Sequence, residues 1–340
     1  MPVRSPARAL GALLPTLCLL AAAPAFATER GQVRALLGAP SYELATPQFP
    51  GVYGQLWVQH YRADKVRDDN GDEVAQTLAT PAGALPVQVK AEVRADVLVP
   101  RLTYVTEQIV SDGRLGFSFA LPMVKQSTRV SLSSTVPAGF PVPRATVDAA
   151  LAQEGVRRSG EETGLADTEL AAFVDWAQDE SRFVAGFAVV APTGDYDAQR
   201  AVNAGAGKFW TLRPLIVASR VWESGFEVGL RATYSFNTRN RDTDVRSGQY
   251  LHADWAAMYR ATDSWRLGLQ GYVLQQTTND QGPTVSATGD KVRALAAGPV
   301  VGYLAESGTW GLDFKAMQEF SVRNRPEGQV YWLRLNVRLD

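Results

Sequence analysis

The chain has 340 residues, 46 % of them hydrophobic, enough for one large domain or two ordinary ones with a sizeable core. Its 34 basic and 35 acidic residues nearly cancel, which argues against a nucleic-acid partner and against a strongly basic membrane-surface protein. With two histidines and one cysteine, few metal or nucleophile constellations can be built, and no cofactor or metal is expected.

Residues 1–27 read as a cleaved signal peptide. Arg4 and Arg8 supply the positive start, residues 9–24 form a short apolar stretch broken by Pro15, and Ala25-Phe26-Ala27 fits an A-x-A cleavage site. Leu17 precedes Cys18 where lipoprotein processing wants a small residue, so no lipid anchor is expected. Residues 28–50 are an N-terminal extension outside any strand pattern. No later segment offers the ~18 apolar residues of a membrane helix. That leaves a soluble periplasmic or secreted protein, or a closed barrel, whose alternating strands escape a hydropathy scan.

Twelve strands are expected, near 52–62, 86–105, 113–125, 164–177, 181–192, 207–221, 225–237, 250–261, 265–278, 291–304, 309–321 and 328–340. In Val87–Val99 every odd position is Val or Ala, while Gln88, Lys90, Glu92, Arg94 and Asp96 share the other face. A helix would scatter these residues; a strand separates them. The same alternation returns in Phe226–Asn237, Leu251–Arg260, Trp310–Phe320 and Tyr331–Asp340. Such faces exceed the ~5–6 residues of an ordinary strand and match the ~9–11 that a tilted strand needs to cross a bilayer. Aromatics such as Tyr234, Phe236, Tyr259, Trp265, Trp310, Phe320 and Tyr331 sit near their ends, where a girdle belongs.

Connections alternate in length. Short turns at 111–113, 178–180, 223–225, 262–264 and 306–308 intervene between longer polar loops near 63–85, 126–163, 193–206, 238–249, 279–290 and 322–327. A sandwich has no reason to sort its loops this way; an outer-membrane barrel does. The expected fold is therefore all-β: a transmembrane antiparallel up-and-down β-barrel of about 12 strands over 51–340. Within 126–163, residues 144–158 have the composition of a short amphipathic helix, either a cap or lumen constriction or a mobile surface loop.

From about residue 164 onward, short turn-rich motifs follow one another in order. They are Gly164-Leu165-Ala166-Asp167, then Ala191-Pro192-Thr193-Gly194-Asp195-Tyr196-Asp197, Asn203-Ala204-Gly205 and Trp210-Thr211. Tyr234-Ser235-Phe236-Asn237, Asn240, Thr243-Asp244, Ser247-Gly248, Asp254, Gly271-Tyr272, Gln275-Gln276, Asp280, Gly298-Pro299, Asn324 and Gly328 complete the series. In this the chain resembles the family named for the MetA pathway of phenol degradation. It departs from the family at residues 126–163 and in ending on Leu339-Asp340 rather than on an aromatic. The resemblance implies an outer-membrane channel for passive passage of small hydrophobic or aromatic solutes. Its implied partners are that solute, outer-membrane lipid and, during biogenesis, the barrel-assembly machinery. The alternatives are a closed structural or adhesion barrel with binding loops, and an outer-membrane lipid hydrolase.

The lumen-facing candidates are Lys90, Glu92, Arg94, Asp96, Glu227, Arg231, Asp254, Arg260, Arg266, Asp313, Lys315, Glu319, Arg334 and Arg338. They can filter solute by charge, or brace the barrel as cross-strand pairs worth about 0.2–1 kcal/mol each. His252 and Asp254 share a strand face and resemble a base with its orienting partner, but no G-x-S-x-G elbow accompanies them, so no enzyme is expected. Asp68–Glu73 lacks the ligand alternation of a calcium loop and reads as a solvated turn. Gly194, Gly205 and Gly207 lack the Lys-Ser/Thr of a P-loop.

Overall fold

The computed structural model describes residues 33–80, 82–285 and 291–340. The expected signal peptide and the first residues of the extension lie outside them. In chain order the strands are β1 (Gly51–Arg67), β2 (Ala75–Thr80), β3 (Gly83–Val110), β4 (Gly113–Ala120) and β5 (Met123–Ser134). Helix α1 (Arg144–Arg158) follows, then β6 (Gly160–Leu165), β7 (Thr168–Gln178), β8 (Ser181–Ala191), β9 (Thr211–Val221) and β10 (Phe226–Asn237). The last five are β11 (Tyr250–Arg260), β12 (Trp265–Gln276), β13 (Arg293–Leu304), β14 (Trp310–Arg323) and β15 (Arg325–Arg338).

These segments make twelve staves of one closed antiparallel barrel. β4 and β5 both pair with β3, as Arg101↔Ala120 and Leu98↔Met123, and form a single stave interrupted at Leu121-Pro122. β6 and β7 likewise form one stave broken at Ala166-Asp167. β2 is a short hairpin partner of β3. β1 pairs with β15 on one side and β3 on the other, which closes the ring.

Short turns gather at one end of the barrel, which also holds both ends of the strand order: Val52 N–H donates to Asp340 at 3.0 Å. The longer loops lie at the other end. One expected loop, 322–327, is nearly absent. β14 passes into β15 through Asn324 alone, whose φ of 54° makes a left-handed corner. Its side chain donates to Asp69 and to the Lys291 carbonyl, at 3.0 and 3.1 Å. The expected 126–163 loop also shrinks, because β5 runs on to Ser134 and β6 begins at Gly160.

The outer surface carries a continuous apolar belt, with Leu56, Phe119, Phe187, Ile216, Leu269 and Phe314 among its exposed residues. An apolar ring of this extent needs lipid around it. Trp265, Tyr303 and Trp310 meet edge-to-face and tilted at its turn end, with ring centroids 5.1 Å apart in each pair, one arc of an aromatic girdle.

β3 has 28 residues, far more than a bilayer crossing requires. On its outer face Leu98, level with Met123 and Leu165 on the neighbouring staves, marks the top of the belt. Beyond that row the outer face becomes charged: Asp96 contacts His60 at 2.7 Å, and Lys125 contacts Glu161 at 3.2 Å. This portion of the wall stands above the lipid.

Residues 33–45 turn inward and fill the lumen. Irregular backbone at membrane depth must find its hydrogen bonds among lumen side chains. Gly38 N–H donates to Asp254 at 2.8 Å, and Gln270 donates to the Gly38 carbonyl at 2.9 Å. Lys315 donates to the carbonyls of Ala39 and Pro40, at 2.6 and 2.9 Å. Trp332 donates to the Leu37 carbonyl at 3.1 Å, and Arg334 donates to that of Ala39. Gly38 has φ +74° and lies against Met317, so a Cβ there would be strained and would collide. Leu37 and Ala39 pack with Trp57, Tyr272, Met317 and Trp332 in the main apolar cluster.

Candidate functional site

Above this plug lies a cavity of about 860 Å³. Its wall comes from two kinds of strand face. On β3 the odd residues Val89, Ala91, Val93, Ala95 and Val97 point into it, joined by Val124 of β5. The polar lining comes from Arg34 of the plug, Arg101 farther along the same face of β3, and Glu169, Arg213, Arg231 and His252. Such a space falls within the ~300–1,000 Å³ of small-molecule sites, with an apolar face and a few polar groups to orient a ligand.

Helix α1 lies on the inner face of the protruding wall. Val147 and Leu151, one turn apart, pack with Leu85, Val87 and Val142. Near its C-terminus, Arg157 and Arg158 oppose the helix dipole, and each reaches Glu154 at 2.7 Å. Burial works against the Glu154 carboxylate, but the hydrogen bonds from the two arginines outweigh it and hold its pKa below the ordinary value. All three side chains line the cavity, so the helix narrows the loop end from within.

The floor is the plug. Arg34 pairs with Asp167 at 2.9 Å, donates to the Gly207 carbonyl at 2.6 Å, and lies over the Phe209 ring at 3.7 Å. Burial, the largest influence, draws the Arg34 pKa below its ordinary value against the pull of Asp167. Lower down, Glu43 meets Arg334 at 2.5 Å. Burial would raise the Glu43 pKa, but Arg334 and Lys315 outweigh it and hold it below the usual carboxylate range. The break in the β6/β7 stave is sealed by the motif residues. Asp167 accepts from the N–H groups of Gly194 and Ala206, both at 3.0 Å, and Asp195 accepts from Leu165 N–H at 2.8 Å. Gly194 and Gly205 touch so closely that a Cβ on Gly194 would sit 2.7 Å from the other's Cα.

The fourteen charged candidates divide by position. Lys90, Glu92, Arg94 and Asp96 lie on the exposed outer face, alternating with the valines and alanines that line the cavity. Their expected lumen orientation is thus corrected. Above the lipid the wall turns its polar face to water and its apolar face inward. Asp254, Asp313, Lys315 and Arg334 are fully or almost fully buried around the plug. Glu319 braces the wall by accepting from Tyr272 and Tyr61, at 2.6 and 2.9 Å. Glu227 gathers Arg260 and Arg266 near the turn end, at 2.9 and 3.2 Å, and Arg338 reaches the Pro50 carbonyl at 3.0 Å. Arg231 alone of the fourteen lines the cavity.

His252 does contact Asp254, at 2.9 Å, but the same carboxylate oxygen receives the Gly38 N–H, so the pair holds the plug. Asp68 accepts from the N–H groups of Asn70 and Asp72, both at 2.9 Å, which accounts for the acidic loop as a turn. Sequence reasoning missed Arg34, Arg101, Glu169, Arg182 and Arg213. Arg182 donates to the carbonyls of Glu43 and Leu44 in the plug. One available signal was on β3, where the apolar positions are odd from Val87 to Val99 but even from Leu98 to Tyr104. That change of phase marks where inside and outside exchange polarity.

A family profile described as "Putative MetA-pathway of phenol degradation" matches residues 63–335. A search among curated proteins gives no match. Among solved structures, the COG4313 outer membrane channel from Pseudomonas putida F1 is similar at TM-score 0.65 and 17 % identity, over 90 % of this chain and 99 % of that one. A FadL homologue of Pseudomonas aeruginosa aligns at TM-score 0.42 and 13 % identity, over 92 % and 98 % of the two chains. The Ralstonia pickettii toluene transporter TbuX aligns at 0.40 and 11 %, over 86 % and 90 %. The first of these likenesses establishes the outer-membrane barrel fold.

Proposed function

The chain belongs to the family of the putative MetA-pathway of phenol degradation, and we propose that it lets small hydrophobic or aromatic solutes cross the outer membrane passively. The observation that carries this reading is the cavity of about 860 Å³, walled on one side by valine and alanine, inside a closed barrel. The family description adds an association with aromatic-compound breakdown. A solute entering from the loop end rests on that apolar wall, and the plug sets whether it proceeds. Cells lacking the chain should take up a phenol-sized aromatic more slowly than complemented cells. Equal uptake across a panel of such solutes would overturn the reading.

A second reading, a closed structural barrel, is favoured by one observation: Lys315 and Arg334 are wholly buried beneath the plug. Planar-bilayer recordings separate the two. A channel conducts, and conducts more after deletion of residues 28–40. A structural barrel stays silent unless the plug is removed.

A further inference from the structure

The cavity lining carries eight arginines against three carboxylates, an excess of positive charge in a space part of whose wall is apolar. Six of the eight have a carboxylate partner within 3.2 Å. Arg157 and Arg158 hold Glu154, Arg34 holds Asp167, Arg213 meets Glu169 at 2.5 Å, Arg200 meets Glu162 at 3.2 Å, and Arg325 meets Glu319 at 3.2 Å. Arg101 and Arg231 differ. Arg101 donates to the Ser118 hydroxyl at 3.0 Å, while its Nε is buried without a partner. Arg231 pairs with Asp254 Oδ2 at the longer distance of 3.8 Å, while Oδ1 of that carboxylate serves His252 and Gly38 N–H. Arg231 is the foremost like-charged neighbour of Arg101.

A buried guanidinium presents five donors in a planar fork that matches a carboxylate in two parallel bonds. Two such groups, one with an unpartnered Nε and the other held by a carboxylate only at 3.8 Å, and repelling one another, gain from a shared anion. Beside them the run from Val89 to Val97 offers an apolar wall that hydrates poorly. We infer that Arg101 and Arg231 form a head-group site for carboxylate-bearing solutes, whose aromatic or aliphatic body lies along the inner face of β3. The preferred cargo is then an organic acid anion of the benzoate type rather than a neutral hydrocarbon. This refines the passage reading and rests on it for its physiological meaning, but binding can be measured separately.

The test is equilibrium dialysis of the purified full chain in detergent against radiolabelled benzoate and, separately, benzyl alcohol. The two share a body and differ in charge. Benzoate should bind at least tenfold more tightly, and added salt should narrow the gap. Arg101→Gln with Arg231→Gln should bring benzoate to the level of benzyl alcohol and leave the alcohol unchanged, while Arg231→Lys should retain part of the preference. Equal affinity of the wild-type chain for the two compounds overturns the site, whether or not the double variant folds. Preferential binding with no effect on uptake would instead defeat the passage reading and leave the site standing.

Discussion

Gly38 is the position where one methyl group tests the plug. Its φ is +74°, and a Cβ would strike the methyl end of Met317 and approach Tyr272 to 3.1 Å. A side chain in the left-handed region costs about 1–2 kcal/mol. Displacing a buried but flexible methionine adds about 1 kcal/mol. Gly38→Ala should therefore weaken the seated plug by about 2–3 kcal/mol, roughly 30- to 150-fold in its equilibrium. The contacts that seat it would slip together, because Asp254, Gln270, Lys315 and Arg334 all bind within a few residues of position 38. Gly139→Ala is the control: φ is +75° there too, with no atom within 4 Å of an added Cβ. Single-channel recordings should show longer or more frequent openings for Gly38→Ala and unchanged traces for Gly139→Ala. Indistinguishable traces from the two variants would refute the plug's role.

Glu43 supplies a pH dependence. Its pKa is held below the usual carboxylate range in the folded chain, so its grip on Arg334 is fully present above the unfolded value and is lost as pH falls through the folded one. Conductance should rise on acidification below about pH 4, and Glu43→Gln should remove that component; a pH profile identical to wild type would count against it. Leu151→Ala empties a fully buried position under α1, at a cost of about 2–5 kcal/mol. Hydrogen exchange should then quicken over 144–158 and not in β10–β12, and uniform loosening would contradict the local packing described. Lys90→Cys should react rapidly with a bulky membrane-impermeant maleimide on intact cells, and Val93→Cys slowly. The reverse order would restore the inward orientation of Lys90.

Much of the barrel was legible because lipid imposes a simple rule, apolar out and closed. β10 and β11 fall within a residue or so of their expected bounds, since Phe226–Asn237 and Tyr250–Arg260 alternate without interruption. Asp254, Lys315 and Arg334 could be placed inside for the same reason. Lys90 to Asp96 could not, because alternation separates two faces without saying which is inner, and that answer reverses where β3 rises above the bilayer. The plug was illegible for a different reason. Residues 33–40, VRALLGAP, have no periodicity, and the lumen side chains that hydrogen-bond to them are more than 120 positions away. The expected strands 113–125 and 164–177 run through Leu121-Pro122 and Ala166-Asp167, where the structure interrupts each stave; the pairing carries across both breaks, because β3 pairs with β4 and β5, and these pair in turn with β7 and β6.

The most direct measurement is solute flux in vesicles whose outer leaflet is lipopolysaccharide, with the folded full chain inserted and no energy source. An aromatic solute should equilibrate faster than in protein-free vesicles, at the same rate inward and outward. Flux no faster than through the protein-free bilayer, from a barrel shown to be folded and inserted, would contradict the account.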